Sequence, residues 1–443
     1  MIHVVDMPMG SGKTESAISY MNEHSDLRFL YVTPFIDETE RIVRSCEKLD
    51  FVMPSEKAPA YNHRKRDHLL ALVNQKRNIA ITHALFCMID DRTARAITCN
   101  GYVIIIDEVI DVFKQIADSE ADINMLVDAG YLERTGGGER QWSLRMTDKA
   151  DGYNGRFKDL FELARYGQIV QTGGWSEERE ARYGLWLVNS NLFSLSGEIY
   201  ILTYMFGGSH MCGFLKSNGY TYDYMGTRKF ADGRFRFAER GELPGYFRNI
   251  REMVHVCEKD SINDIGDDET AFSSGWMGRA MTDGRIRIVS NHVHAFFRRH
   301  VPEWVGAGDR LWSTYIDYEK GVGGHGFQKS FLAFNARAVN QYGDRVALAY
   351  CVNLYPHPSI KNYLEHIGVE MDWDKYAVSY MVQWIWRSRI RNGKEIWVYI
   401  PSRRMRTLFL QWMDDAEAAY RKEVNERGNG TEDNQGRLVS NNN

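Results

Sequence analysis

Paired cysteines, long apolar runs and an excess of charge of one sign are all missing from this chain. Its six cysteines, Cys46, Cys87, Cys99, Cys212, Cys257 and Cys351, contain no C-x-x-C pair, which excludes a zinc-ribbon spacing and a disulfide framework. Free, mostly buried thiols are expected. No apolar stretch approaches the length of a membrane span, and the N-terminal Ile2, His3, Val4 and Val5 read as a core strand rather than a signal peptide, so no membrane partner and a cytoplasmic location are expected. The net charge of −4 does not advertise a polyanionic partner. A basic track would have to be local, and the arginines that could line one come late: 298 and 299, then 387, 389 and 391, then 403, 404 and 406. What remains is an ordinary globular composition, 44% hydrophobic and 26% charged, in 443 residues, enough for two or three domains.

The first positive signal follows the first strand. Residues 7–14 read Met-Pro-Met-Gly-Ser-Gly-Lys-Thr between an apolar β-branched run and a helix-like segment. Glycines 10 and 12 let backbone N–H groups close around phosphates. Lys13 can reach the β and γ oxygens, and the Thr14 hydroxyl can ligate Mg²⁺. Pro8, Met9, Gly10, Ser11, Gly12, Lys13 and Thr14 are therefore the candidate nucleotide-binding residues. The full pattern asks for glycine at position 7, where this chain has Met7.

A triphosphate site also needs a metal-holding acid at the end of a second buried strand, and residues 102–108, Tyr-Val-Ile-Ile-Ile-Asp-Glu, provide it. Asp107 with Thr14 would hold Mg²⁺, and Glu108 would orient or deprotonate the attacking water. The two signals are independent and arrive in the required order.

Short strands at 2–6, 28–33, 78–82, 102–106 and 198–203 alternate with helical segments such as 13–23 and 37–47. This pattern predicts a parallel α/β sheet with ligands at the C-terminal strand edges. The stretch 112–190, with glycines at 136–138 and 173–174, is longer than a connection needs and predicts an inserted helical subdomain. A second α/β block is expected from about 208, with strands at 285–290, 331–334, 346–352 and 395–400. From about Arg427 the chain loses periodicity and is expected to be disordered. The domains are thus 1–207, 208–424 and a 425–443 tail.

In this order the motifs resemble those of superfamily 2 DExx-box helicases, in particular the compact helicase-like ATPases of tailed phages. Residues 7–14 resemble motif I and Asp107-Glu108-Val109-Ile110 motif II. Thr33-Pro34 is similar to motif Ia, Thr82-His83 to the next motif region, and Thr203 to motif III. Asn335-Ala336-Arg337-Ala338 with Asn340 and Tyr342 resembles the motif IV/V region. Gln383, Arg387, Arg389 and Arg391 resemble motif VI. The resemblance implies two RecA-like parallel-sheet domains of the P-loop NTPase class, ATP and Mg²⁺ as cofactors, and arginine fingers from the second domain. Nucleic-acid contacts are implied at Thr33, Pro34, Thr82, His83, Thr203, Asn335 and Arg337. The implied activity is an ATP hydrolase that moves along or unwinds DNA, single-stranded or branched, in replication, recombination or repair of a phage genome in the host cytoplasm. RNA stays open as a polymer, and oligomeric state is not implied.

The chain departs from the family in three places. Ile390 stands where the second motif VI arginine belongs, so Arg387 is the better finger and the other lies between Arg389 and Arg391. Ile110 replaces the histidine of the DEAH subfamily, and the chain starts too close to its phosphate loop for an upstream adenine-reading segment. Trp276, Trp312, Phe296 and Phe297 could stack on unpaired bases, but core packing is the expectation for most aromatics here. Two alternatives share the motifs: an ATP-switched nucleic-acid clamp that does not unwind, and a packaging-type ATPase.

Overall fold

In a computed structural model, the structure describes residues 1–57, 64–135, 143–173, 182–336 and 341–436; of 428–436 it gives the helical backbone alone. The chain divides into two compact units. One comprises Met1–Met7, Gly12–Arg240 and Pro356–Asp372; the other comprises Pro8–Ser11, Gly241–Tyr355 and Trp373–Asn443.

The first unit begins with β1 (Ile2–Asp6), β2 (Arg28–Thr33), β3 (Ile79–Thr82) and β4 (Tyr102–Asp107). Next come β5 (Phe113–Gln115), β6 (Leu132–Thr135), β7 (Ser143–Met146), β8 (Gly167–Gly173) and β9 (Arg182–Val188), then β10 (Ile199–Thr203), β11 (Tyr222–Lys229) and β12 (Phe235–Ala238). The main sheet has the order β12-β11-β1-β10-β4-β2-β3, parallel except for β12. Both faces are covered, so β4 is apolar at every position from Tyr102 to Ile106, all buried. Strand parity divides these side chains between two faces. Phe29, Tyr31, Val103 and Ile105 pack on one, against Ala17 and Met21 of α1 (Lys13–Glu23). All five strands expected in this part of the sequence are present.

The stretch after β4 is not the helical subdomain that its length suggested. It is a five-stranded antiparallel sheet, β5-β9-β8-β7-β6, with helices Glu120–Asp128 and Lys158–Tyr166. Ile123, Leu126, Leu132, Leu144, Leu160, Phe161 and Ile169 form its own core. The glycines at 136–138 and Gly174 lie outside the described residues. Residues 356–372 complete this unit. Their helix Pro358–His366 puts Tyr363 6.1 Å from the Phe113 ring, and the Gln115 amide reaches the His357 ring nitrogen at 2.7 Å.

The second unit holds β13 (Val254–Val256), β14 (Arg310–Ser313), β15 (Ala347–Tyr350) and β16 (Ile396–Tyr399), a parallel sheet of order β13-β16-β15-β14. Of its expected strands, those at 346–352 and 395–400 are present. Residues 285–290 instead open the helix Arg285–Arg299. Their local alternation imitates a strand, but Ile286, Val289, Val293, Phe296 and Phe297 recur at helical spacing and all are buried. Phe331 makes only an isolated bridge to Trp312. The block expected from 208 starts later, because β11 and β12 extend the first unit's sheet. Trp276, Trp312, Phe296 and Phe297 are core residues, at most 4% exposed. The last helix, Arg403–Gly436, continues through most of the tail expected to be disordered; 437–443 lie outside the described residues.

Candidate functional site

The candidate phosphate loop leaves the C-terminal end of β1, and α1 starts at Lys13. Gly10 and Gly12 both take φ +78°, where a side chain is strained, and a methyl added to Gly12 would also lie 2.4 Å from the Phe235 ring. No described side chain caps α1, so its first amides face the loop, the arrangement that accepts phosphate. The Met7 amide donates to the Thr203 carbonyl at 3.0 Å, which fixes the start of the loop to β10. Asp6 ties the next turn: its carboxylate accepts from the amides of Met205 at 2.6 Å and Phe206 at 3.1 Å.

Lys13 Nζ donates to the Met7 carbonyl at 2.6 Å. Burial lowers the ammonium's pKa, opposed by the charges of Glu108, Asp107 and Asp6. The Thr14 hydroxyl lies 3.2 Å from Asp107 Oδ2, so the two proposed metal ligands are together. The same Oδ2 accepts from the Tyr31 hydroxyl at 2.7 Å. Tyr31 stands opposite Ile105 in the β2–β4 register, and Asp107, two residues further along the same face, falls under its hydroxyl. Burial, followed by the Glu108 charge, pushes the Asp107 carboxyl up to about 6, against the Tyr31 hydrogen bond and the Lys13 charge.

Glu108 follows in the left-handed region, φ +63°, with its amide held by the Leu202 carbonyl at 2.8 Å. A non-glycine residue held there costs about 1 kcal/mol and is a mark of functional geometry. Among the described residues no three of His, Cys, Asp or Glu gather into a metal site. Mg²⁺ suits this donor set, because it keeps several waters and takes further oxygens from phosphate beside one carboxylate and a hydroxyl.

The residues expected to touch nucleic acid in the first unit differ in exposure. Thr33 is fully buried, Thr203 is 1% exposed and His83 8% exposed. The sheet turns the two threonines inward. His83 Nε2 is 2.8 Å from the Asp107 carbonyl, where it supports the acid strand, and the Thr82 hydroxyl accepts from the Leu85 amide as a helix cap. Pro34 is half-buried beside exposed Phe35 and Ile36, and Asn335 is exposed in the second unit. Arg337 and Asn340 lie outside the described residues.

The residues that resemble motif VI fall at the end of the helix Trp373–Ile385 and in the turn after it. Gln383, Arg387 and Arg389 are half-buried and Arg391 is exposed. Arg389 has a structural position: its guanidinium sits 5.1 Å from the Trp304 ring and 5.9 Å from that of Trp397, and its Nε donates to the Glu395 carbonyl at 2.5 Å. Arg404 is likewise engaged, donating to Asn353 at 2.9 Å and Asp374 at 2.5 Å. Arg406 donates to Asn263 at 3.1 Å. These two do not line an open groove. Sequence reasoning missed Tyr31, Asp6 and Phe235, which meet the loop and the acids only through sheet order and turns.

Comparison with known proteins gives a full-length relative. The SPbeta prophage-derived protein YonV of Bacillus subtilis (strain 168) is 30% identical over 425 residues, covering 94% of this chain and 99% of that one. The chain belongs to the YonV family. The family model for the YonV C-terminal Rossmann-like domain matches residues 248–413, within which the four parallel strands of the second unit lie. Among solved structures, Xpd4 of S. tokodaii aligns with a TM-score of 0.46 at 12% identity, covering 93% of this chain and 94% of its own. A structure titled XPD helicase aligns at 0.44 and 12%, covering 94% and 95%.

Proposed function

We propose that this protein is an ATP-hydrolysing helicase or translocase acting on DNA, encoded by a phage or prophage. The observation that carries the reading is the meeting of Lys13, Thr14 and Asp107 at the edge of one parallel sheet, with Glu108 beside them in the left-handed conformation. A loop alone would bind phosphate; the added acids supply what hydrolysis needs. The phage assignment is supported by the prophage relative.

In this reading the loop amides and Lys13 hold the β and γ phosphates. Thr14 and Asp107 would hold Mg²⁺, which when bound would supply positive charge to the phosphate oxygens. Tyr31 would steady the Asp107 carboxylate through its hydrogen bond to Oδ2. Glu108 takes the proton of the attacking water. Arg387, with Arg389 or Arg391, would supply the cations that the transition state requires.

The test is a DNA duplex with a 3′ or 5′ single-stranded tail, with strand separation and ATP consumption measured on the same sample. Separation that requires ATP and is lost in Glu108→Gln supports a helicase. DNA-dependent ATP binding with no separation or translocation would replace it with an ATP-switched clamp.

A further inference from the structure

The β11–β12 hairpin stands beside the phosphate loop. β11 runs parallel to β1, with residues 2–5 opposite 222–225, and its residues 227–229 continue beyond Asp6, the last residue of β1. Those three residues carry the hairpin about 10 Å past the end of β1. β12 returns antiparallel with Phe235 opposite Lys229, so Phe235 lies at the same sheet edge as the loop. Its half-buried ring is pressed on Gly12: Cγ and Cδ1 are each 2.4 Å from where a Gly12 methyl would be. Lys229, exposed, has its ammonium 5.8 Å from the ring centroid.

Sheet order decides which part of a nucleotide would reach this ring. Asp107 ends β4, two places from β1 on one side, whereas β11 and β12 are the first and second places on the other. A triphosphate laid across the strand ends, with its γ end toward Thr14 and Asp107, sends its nucleoside toward β11 and β12. We propose that Phe235 is the nucleobase platform of the site, stacking on the base of the bound nucleoside triphosphate. This rests on the reading of residues 7–14 as a phosphate loop. A ring face reads no base edge, so stacking there accommodates any purine.

The test compares binding of ATP and of inorganic tripolyphosphate, which has no base, by calorimetry on the full-length protein and on Phe235→Leu, Phe235→Trp and Lys13→Ala. Loss of one base–aromatic stack corresponds to a roughly 5- to 150-fold weaker Kd. Phe235→Leu, which keeps the apolar bulk on Gly12, is expected to lose ATP affinity in that range and hold tripolyphosphate within about twofold, and Phe235→Trp to restore ATP binding. Unchanged ATP affinity in Phe235→Leu, tighter ATP binding, or an equal loss for both ligands would each overturn the proposal. The parent reading fails separately: a wild-type protein that binds neither ligand, or binds both equally well after Lys13→Ala, has no phosphate loop at residues 7–14.

Discussion

Asp107 is held in an environment that resists its charge, which makes a specific prediction for Asp107→Asn. Its carboxyl is pushed from 3.8 to about 6, so in the folded protein ionisation is harder than in the unfolded chain. The sign follows: below about pH 4 the acid is neutral in both states and costs nothing; between 4 and 6 the cost grows with pH; above 6 it is complete. A shift of about two units corresponds to about 3 kcal/mol. Asparagine copies the shape of the neutral carboxyl and can still accept from Tyr31 and Thr14. The variant is therefore expected to be more stable than the native protein by about 3 kcal/mol at pH 8, a Tm increase of roughly 6–12 °C for a unit of this size, and to show no gain at pH 4. Calorimetric melts in chelator across pH 4–8 measure it. Added Mg²⁺ with nucleotide should stabilise the native protein and narrow the gap, because the metal replaces the proton as the partner of the charge. Equal stability of the two proteins at pH 8, or an equal gain at pH 4, would refute the burial argument.

Glu108→Gln is expected to bind ATP as well as the native protein while turnover falls about 10²- to 10⁴-fold, the usual yield of a positioned base; single-turnover kinetics would show it. Tyr31→Phe removes one of the two hydroxyls on Asp107 Oδ2. It should raise the Mg²⁺ concentration for half-maximal hydrolysis several-fold at a stability cost of about 1 kcal/mol, and an unchanged Mg²⁺ titration would contradict that role. Arg389→Ala and Arg391→Ala should separate: the first lowers stability by about 1–2 kcal/mol through lost stacking on Trp304 and Trp397, whereas the second, at an exposed position, changes stability by less than about 1 kcal/mol and reduces DNA-stimulated turnover by about 10³-fold. Identical thermal and kinetic effects of the two substitutions would remove the distinction between them.

The legible parts of this protein are those whose information lies in one stretch of chain. The loop at 7–14 and the acid strand at 102–108 each carry their spacing, their apolar run and their chemistry together, so both appear in the sequence. Tyr31 does not, because nothing in Arg-Phe-Leu-Tyr-Val-Thr says that β2 will pair with β4 in the register that drops its hydroxyl onto Asp107. Phe235 is hidden in the same way, more than two hundred residues from Gly12 and joined to it only through β11. Thr33 and Thr203 occupy the strand ends expected of them, yet the sheet buries both side chains. The misreading of 285–290 comes from window length: Arg-Ile-Arg-Ile alternates like a strand, and only the buried positions out to Phe297 reveal the helical period. The insertion was misjudged because its reading rested on length and scattered glycines, neither of which tells strands from helices.

The central claim is that the site hydrolyses ATP in response to a nucleic acid. Steady-state ATP hydrolysis by the full-length protein tests it most directly, alone and with single-stranded DNA, duplex DNA, branched DNA and RNA, beside Lys13→Ala. The account predicts turnover that rises strongly with a DNA and disappears in Lys13→Ala. Turnover no greater than that of Lys13→Ala with every polymer would contradict it.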